Sequence, residues 1–216
     1  LRTKFAGPGE DAGVLVTWGN LNNHIGVPIT LLWMRDSHRA AVIEMGASAR
    51  REIARLAAIA APGIAIITNA GPAHLGGFGG TLRDVAEAKG ELFAGLPAGS
   101  VAVINRDDPF YGYWRGLRDD ITYRSFGLSA EADYRAVDVQ ALGVQGLRFR
   151  MLTPSGEIPV NLPMAGGHNV RNALAAQYDS AARDADIQVI SADLAGGRRL
   201  TLQHRVRNGV LLEKEQ

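Results

Sequence analysis

The sequence contains no cysteine, so disulfides, thiolate nucleophiles and cysteine-based zinc sites are excluded. That usage fits a cytoplasmic protein. An excess of charge of either sign is missing too: 23 Lys and Arg against 22 Asp and Glu leave a formal net charge of +1. No basic run carries interleaved aromatics, so neither a steering field nor a nucleic-acid partner is expected. No apolar run reaches the ~18 residues a membrane span needs, and no signal-peptide pattern opens the chain. Lysine is scarce. It stands only at positions 4, 89 and 214, and none of these belongs to a Gly-Lys-Ser/Thr triplet. The glycine-rich loop that cradles nucleotide phosphates is therefore absent from these residues.

What remains is a globular composition. The 216 residues, 46% hydrophobic and 21% charged, suffice for one large or two small domains with a real core. The chain opens on Leu1 and reads as part of something longer. Its organising stretch is Ala41 to Phe93. Two short apolar runs, Ala41–Ile43 and Ile64–Ile67, stop on polar residues, the first at Glu44 and the second at Thr68-Asn69. Each is followed by a helical pattern, which predicts buried strands of a parallel sheet. Ligands in such sheets sit past the carboxyl ends of the strands, which is where Glu44, Asn69 and His74 fall.

Val14 to Thr17 is a further strand candidate, and Ile29 to Met34 leads into a helix. Ser48 is placed to cap a helix over 49–61, ended by Pro62-Gly63. Val101–Ile104 is a third buried strand, stopping on Asn105, Arg106, Asp107 and Asp108. Three such units in succession predict an α/β fold, a doubly wound, mostly parallel sheet with helices on both faces. Over 118–163 the strands shorten and alternate, as in Leu147, Phe149 and Met151 against Arg148 and Arg150, predicting a small antiparallel meander that packs on or extends the sheet. The reading is one domain: a parallel part at 13–117, the meander, and closing helices over 164–216, with helices from Val170 and over 187–195.

Four places carry candidate chemistry. In the helix after Thr81, the apolar face of Leu82, Val85, Ala86, Leu92 and Phe93 also holds Lys89. Either its stem covers apolar surface while the ammonium reaches water, or it does chemistry. The loop GNLNNHIGVP (19–28) is over-supplied with amides for a plain turn. His74, in a loop with five glycines, directly follows a buried strand. Asn172 stands in the first turn of a helix, at the positive end of its dipole, behind Gly166-Gly167-His168-Asn169. Arg198, Arg199, Arg205 and Arg207 form a small basic cluster that reads equally well as a solvated helix end. A Glu, an Asn, a His and a half-buried Lys at one sheet edge suit a divalent cation and a phosphate-bearing substrate.

GNLNNHIGVP (19–28), VIEMGA (42–47), ITNAGPAHLGGFG (67–79) with EAKGELF (87–93), and GGHNVRNALAA (166–176) follow one another in the order and spacing of the Mur ligases. The chain resembles the central, ATP-binding domain of that family over most of residues 13–176. The GNLNN loop and the HLGGFG-to-AKGELF unit resemble the member that adds D-alanyl-D-alanine to UDP-N-acetylmuramoyl-tripeptide in peptidoglycan precursor synthesis. The resemblance implies an ATP- and Mg2+-dependent acid–amino-acid ligase working through an acyl phosphate. It implies magnesium at Glu44, His74 and a carbamylated Lys89, adenine against Asn172 with His168, Asn169, Asn69 and Arg205 nearby, and the muramoyl-peptide against Asn20, Leu21, Asn22 and Asn23. The family's N-terminal UDP-substrate domain, phosphate-binding loop and C-terminal domain have no counterpart here, Arg51-Glu52 replace a Gly-Glu, and Gly167-His168-Asn169 lacks the arginine of the family's Gly-Arg-His-Asn.

Three readings follow. The chain is a fragment of a ligase, inactive by itself; or it is a non-catalytic binding module, a truncated homologue without the phosphate loop; or it belongs to a sister ligase such as a folylpolyglutamate or cyanophycin synthetase, against which the GNLNN loop argues. Oligomeric state is not legible in the sequence.

Overall fold

In a computed structural model, the structure describes residues 14–38, 40–72 and 75–181, with two short strands near the C-terminus. Strand β1 (Val14–Val16) pairs in parallel with β2 (Ala40–Val42), and helix α1 (Gly26–Leu32) connects them. Helix α2 (Glu52–Ala60) then leads to β3 (Ile64–Ile67), the first strand of a six-stranded sheet. Next come α3 (Leu75–Phe78), α4 (Leu82–Ala94), β4 (Val101–Asn105), α5 (Tyr111–Arg115) and β5 (Thr122–Gly127). The series continues with β6 (Tyr134–Ala141), β7 (Leu147–Thr153), β8 (Gly156–Leu162) and α6 (Gly167–Ala181). The sheet order is β3-β4-β5-β6-β7-β8. β9 (Val206–Arg207) and β10 (Val210–Leu211) form a small antiparallel pair.

The architecture is α/β as expected, with parallel pairing from β3 to β6 and antiparallel pairing from β6 to β8. One correction concerns β5, grouped with the meander in the sequence reading. It pairs in parallel with β4, Val101 opposite Thr122. The meander extends the sheet: β6 joins β5 in parallel at Phe126↔Tyr134 and then carries β7 and β8.

Helices cover both faces. On one, Val170 and Leu174 of α6 pack with Val103, Phe126 and Phe149. On the other, Ala86 and Phe93 of α4 and Trp114 of α5 pack with Ala65, Ala102 and Ile104. Alternate residues of β4 thus feed opposite cores, as a strand buried on both faces requires. Each fully buried large side chain contributes ~1.5–3 kcal/mol relative to exposure. Trp114 is wholly buried, and its indole N–H donates to the Ala86 carbonyl at 2.8 Å. This bond ties α5 to α4 while keeping a buried donor satisfied.

Local chemistry sets two helix starts differently from the sequence reading. α1 begins at Gly26, inside the amide-rich loop, because the Asn23 side chain accepts from the N–H groups of Ile25 and Gly26 at 3.0 and 2.9 Å. Gly26 is also forced small, since a Cβ there would lie 2.3 Å from the Leu21 backbone. α2 begins at Glu52 after Arg51 in the left-handed region at φ 68°, and Ser48 does not cap it. Instead Glu91 of α4 accepts from the N–H groups of Arg51 and Ala54, at 2.7 and 3.2 Å. Glu52 reaches back to the N–H groups of Ser48 and Ala49. α6 starts at Gly167, three residues ahead of the expected Val170. The expected 187–195 helix lies outside the described residues.

Candidate active site

The carboxyl ends of β2 and β3 open onto one cleft of about 510 Å3, lined among others by Asn22, Glu44, Asn69 and Lys89. Four residues singled out in the sequence are therefore brought together. Glu44 is held from both sides of its loop: its N–H donates to the Thr17 hydroxyl at 2.8 Å, and its carboxylate accepts from the Asn22 side-chain amide at 2.7 Å. The Gly46 N–H donates to the Asn22 carbonyl at 2.8 Å. A Cβ on Gly46 would sit 2.9 Å from the Asn22 amide nitrogen, so glycine there lets the two loops touch. The GNLNN loop and the loop after β2 are in this way one unit. Asn20 and Asn23 are exposed and Leu21 half-buried.

Lys89 is half-buried on α4. This helix is firmly placed. Thr81 and Asp84 form a capping box at its start. Arg50 pairs with Asp84 and with Glu87, the latter at 3.2 Å, and donates to the Phe78 carbonyl at 3.0 Å. The Thr81 hydroxyl, with help from Arg50, holds the Asp84 carboxyl below its ordinary range. Backbone donation from Ser48 does the same for Glu52. His74 and Arg205 lie outside the described residues, so the structure is silent on both. Among the described residues no three His, Asp or Glu side chains converge on a metal-sized point.

A second group sits on α6, off the cleft. His168 is exposed, while Asn169 and Asn172 are buried. Asn169 donates its amide to the Ala165 carbonyl at 2.7 Å, but among the described residues its buried side-chain oxygen has no hydrogen-bond partner. A buried acceptor without a partner is costly, and it marks a place where a ligand donor fits.

The Asn105-Arg106-Asp107-Asp108 run, noted in the sequence only as the polar end of a strand, knits the two groups together. Asn105 donates to the Thr68 carbonyl at 2.9 Å, and Asp108 accepts from the Ala70 N–H at 2.9 Å, so β4 fixes the loop after β3. Asp107 accepts from the N–H groups of Leu128 and Ser129 at 2.8 and 2.9 Å, and from Arg171 of α6 at 3.2 Å. The carboxyl ends of β3, β4 and β5 and the start of α6 are thus one hydrogen-bonded edge, carrying Asn69, Asn105, Asn169 and Asn172.

The Mur ligase middle-domain family matches residues 4–178, and a second family, the SpoVR-like C-terminal domain, matches residues 185–216. The chain is 42% identical over 167 residues to the UDP-N-acetylmuramoyl-tripeptide–D-alanyl-D-alanine ligase of Haemophilus influenzae, covering 77% of this chain and 35% of that protein. It is 40% identical over 182 residues to the enzyme of the same name from Escherichia coli, covering 84% of this chain and 40% of that one. Among solved structures it is similar to MurF from Acinetobacter baumannii, with a TM-score of 0.71 at 38% identity, covering 75% of this chain and 35% of that one. It is also similar to a MurF ligase from Thermotoga maritima in complex with ADP, with a TM-score of 0.65 at 28% identity over 75% of this chain and 37% of that one. The chain thus spans little more than a third of the length of the relatives it matches.

Proposed function

Because the chain belongs to the Mur ligase family, matching its middle domain, we propose that it is the nucleotide-binding part of a ligase that joins D-alanyl-D-alanine to UDP-N-acetylmuramoyl-tripeptide. The reaction transfers the γ-phosphoryl group of ATP to the tripeptide carboxylate, releasing ADP. The dipeptide amine then attacks the acyl phosphate and inorganic phosphate leaves. The observation that carries the reading is the single cleft at the strand ends that gathers Asn22, Glu44, Asn69 and Lys89. Catalysis in such a site is positioning and charge stabilisation.

Each residue has a part in this reading. Glu44, fixed by Thr17 and Asn22, and a carbamylated Lys89 hold magnesium together with His74. The cation supplies neutralisation of the transferring phosphoryl group. The donor chemistry fits: carbamylation would turn the half-buried Lys89 ammonium into a second carboxylate-like oxygen ligand in the cleft that Glu44 also lines. Asn172, with His168 and the partnerless oxygen of Asn169, receives the nucleotide base, and Asn69 and Arg205 are proposed as further nucleotide contacts. The loop Asn20-Leu21-Asn22-Asn23 meets the muramoyl-peptide.

The test is magnesium-dependent ATP binding to this chain by calorimetry in bicarbonate buffer, with Lys89→Ala and Asn172→Ala as controls. Binding that weakens at least about tenfold in each variant, ~1.4 kcal/mol, is expected. Absence of binding, or binding indifferent to both substitutions, overturns the assigned nucleotide role. The chain alone is expected not to release phosphate when given ATP and D-alanyl-D-alanine.

A further inference from the structure

A phosphate-bearing ligand calls for a cation. Lys89 is the one lysine among the described residues, and the proposed function turns it into a carbamate. The positive charge left to meet a phosphate is then arginine. Arg106, at the end of β4, lies over the Tyr111 ring, 4.2 Å from its centroid, and pairs with Glu131. Arg50 divides its nitrogens among the Phe78 carbonyl, Asp84 and Glu87. Arg171, in the first turns of α6, differs from both. Its Nε donates to Asp107 at 3.2 Å, and among the described residues neither of its terminal nitrogens has an acceptor. A guanidinium that only ties two elements together ordinarily offers a carboxylate two parallel N–H groups. Arg171 spends one and keeps the pair at its tip.

The anchor is built into the sheet edge. The Asp107 carboxylate also accepts from the N–H groups of Leu128 and Ser129, and its own N–H donates to the Asn105 side chain at 3.0 Å. A Cβ on Gly127 would lie 2.7 Å from an Asp107 carboxylate oxygen, so glycine there admits the carboxylate. An arginine tied to so firm a partner loses much of its rotamer freedom before any ligand arrives. Its side chain is 37% exposed against 17% for Asp107, so the tip is open while the anchor is shielded. Its neighbours complete a site. Residues three apart share a helix face, so His168 and Arg171 form one row of α6 and Asn169 and Asn172 the next. The second row is buried, and it holds the Asn169 oxygen that lacks a partner. The first turn of α6 contains no acidic residue to oppose an anion.

We infer that Arg171 is a phosphate-binding residue: held at Nε by Asp107, it offers the two nitrogens at its tip to a phosphate of the nucleotide whose base meets Asn169 and Asn172. The planar tip suits a phosphate, which it can engage through two parallel N–H groups. The base contact rests on the ligase reading, whereas the anion contact rests on the arginine, its anchor and its unspent donors.

The test uses the 216-residue chain in magnesium-free buffer, observed by NMR during titration with inorganic pyrophosphate, adenosine and AMP in turn. Pyrophosphate is expected to shift the Arg171 Nε–H resonance and the backbone amides of residues 167–172 saturably, and the amide shifts vanish in Arg171→Met. AMP is expected to bind at least about fivefold tighter than adenosine. Arg171→Met brings that ratio to about one and leaves adenosine affinity unchanged, which the loss of a merely structural ion pair would not do. The inference is overturned if pyrophosphate shifts nothing, if the amide shifts persist in Arg171→Met, or if adenosine binds and AMP binds no tighter. Pyrophosphate binding through Arg171 without any adenosine binding leaves the anion contact standing and removes the base assignment, so the two failures are told apart.

Discussion

Replacing Asn22 by Asp tests the central contact of the site. In the native chain the Asn22 amide donates to the Glu44 carboxylate at 2.7 Å. The substitution removes a hydrogen bond to a charged group, worth ~1.5–3 kcal/mol. It also sets a second carboxylate against the first. At ~4 Å between charge centres the repulsion is ~1 kcal/mol in a water-like medium and ~4 kcal/mol at an effective dielectric of 20. Both side chains are half-buried and can swing partly apart, so the combined loss is about 3 kcal/mol against a typical domain stability of 5–15 kcal/mol. The sign with pH is fixed. Like charge disfavours the doubly ionised folded pair, so the variant regains stability as pH falls and one carboxyl takes a proton. Glu44→Gln alone costs about 1 kcal/mol, since the amide oxygen still accepts from Asn22. The double variant restores a donor–acceptor pair with reversed polarity and recovers at least about 1 kcal/mol relative to additivity. Urea unfolding followed by circular dichroism, near neutral pH and at about pH 5, measures these four proteins and Asn22→Ala as a fifth. Additive losses, or an Asn22→Asp variant no less stable than Asn22→Ala near neutral pH, would refute the contact.

Three further outcomes are expected. Trp114→Leu leaves the Ala86 carbonyl without its donor and opens a cavity between α4 and α5, costing ~2–4 kcal/mol in the same unfolding assay; a loss below about 1 kcal/mol contradicts the buried bond. Glu91→Ala removes the acceptor for two amides at the start of α2, with a loss of ~1–2 kcal/mol and faster amide exchange at Arg51 and Ala54; unchanged exchange there contradicts it. The lowered carboxyls of Glu52 and Asp84, whose ordinary values are 4.5 and 3.8, contribute stability that is present above those values and lost as pH falls through the lower folded ones. Amide protection at the starts of α2 and α4, measured against intrinsic exchange, therefore falls as pH drops below those ordinary values, and Glu52→Gln and Asp84→Asn flatten that dependence.

Much of the scaffold was legible because its strands are short apolar runs ending on polar residues. Ile64–Ile67 is a strand with those bounds, and Val101–Ile104 gains only Asn105. The start of α1 was hidden because Gly26 and Pro28 read as loop, while the cap comes from an asparagine side chain whose direction composition does not give. The parallel pairing of β5 was hidden because alternation marks a strand without naming its neighbour. That Glu44, Asn69 and Lys89 share a cleft followed from the rule about strand ends. The clamping by Asp107 and Asp108 did not, since their amide partners Ala70, Leu128 and Ser129 lie 21–38 residues away. Lys89 on an apolar face stood out in the sequence because an ammonium there calls for a reason, and the structure places it half-buried along the cleft.

The buried indole of Trp114 also gives the molecule an optical handle. Of its three tryptophans, Trp18 is 47% exposed, Trp33 half-buried and Trp114 fully shielded, so in a Trp33→Phe background the emission separates into a red, quencher-sensitive component and a blue, protected one. Trp114 grips α4 three residues before Lys89. Any event at the cleft that shifts this helix along its axis must stretch that bond and change the blue component. Intrinsic fluorescence of the unlabelled chain thus reads the position of the lysine helix directly, in real time and without added dye.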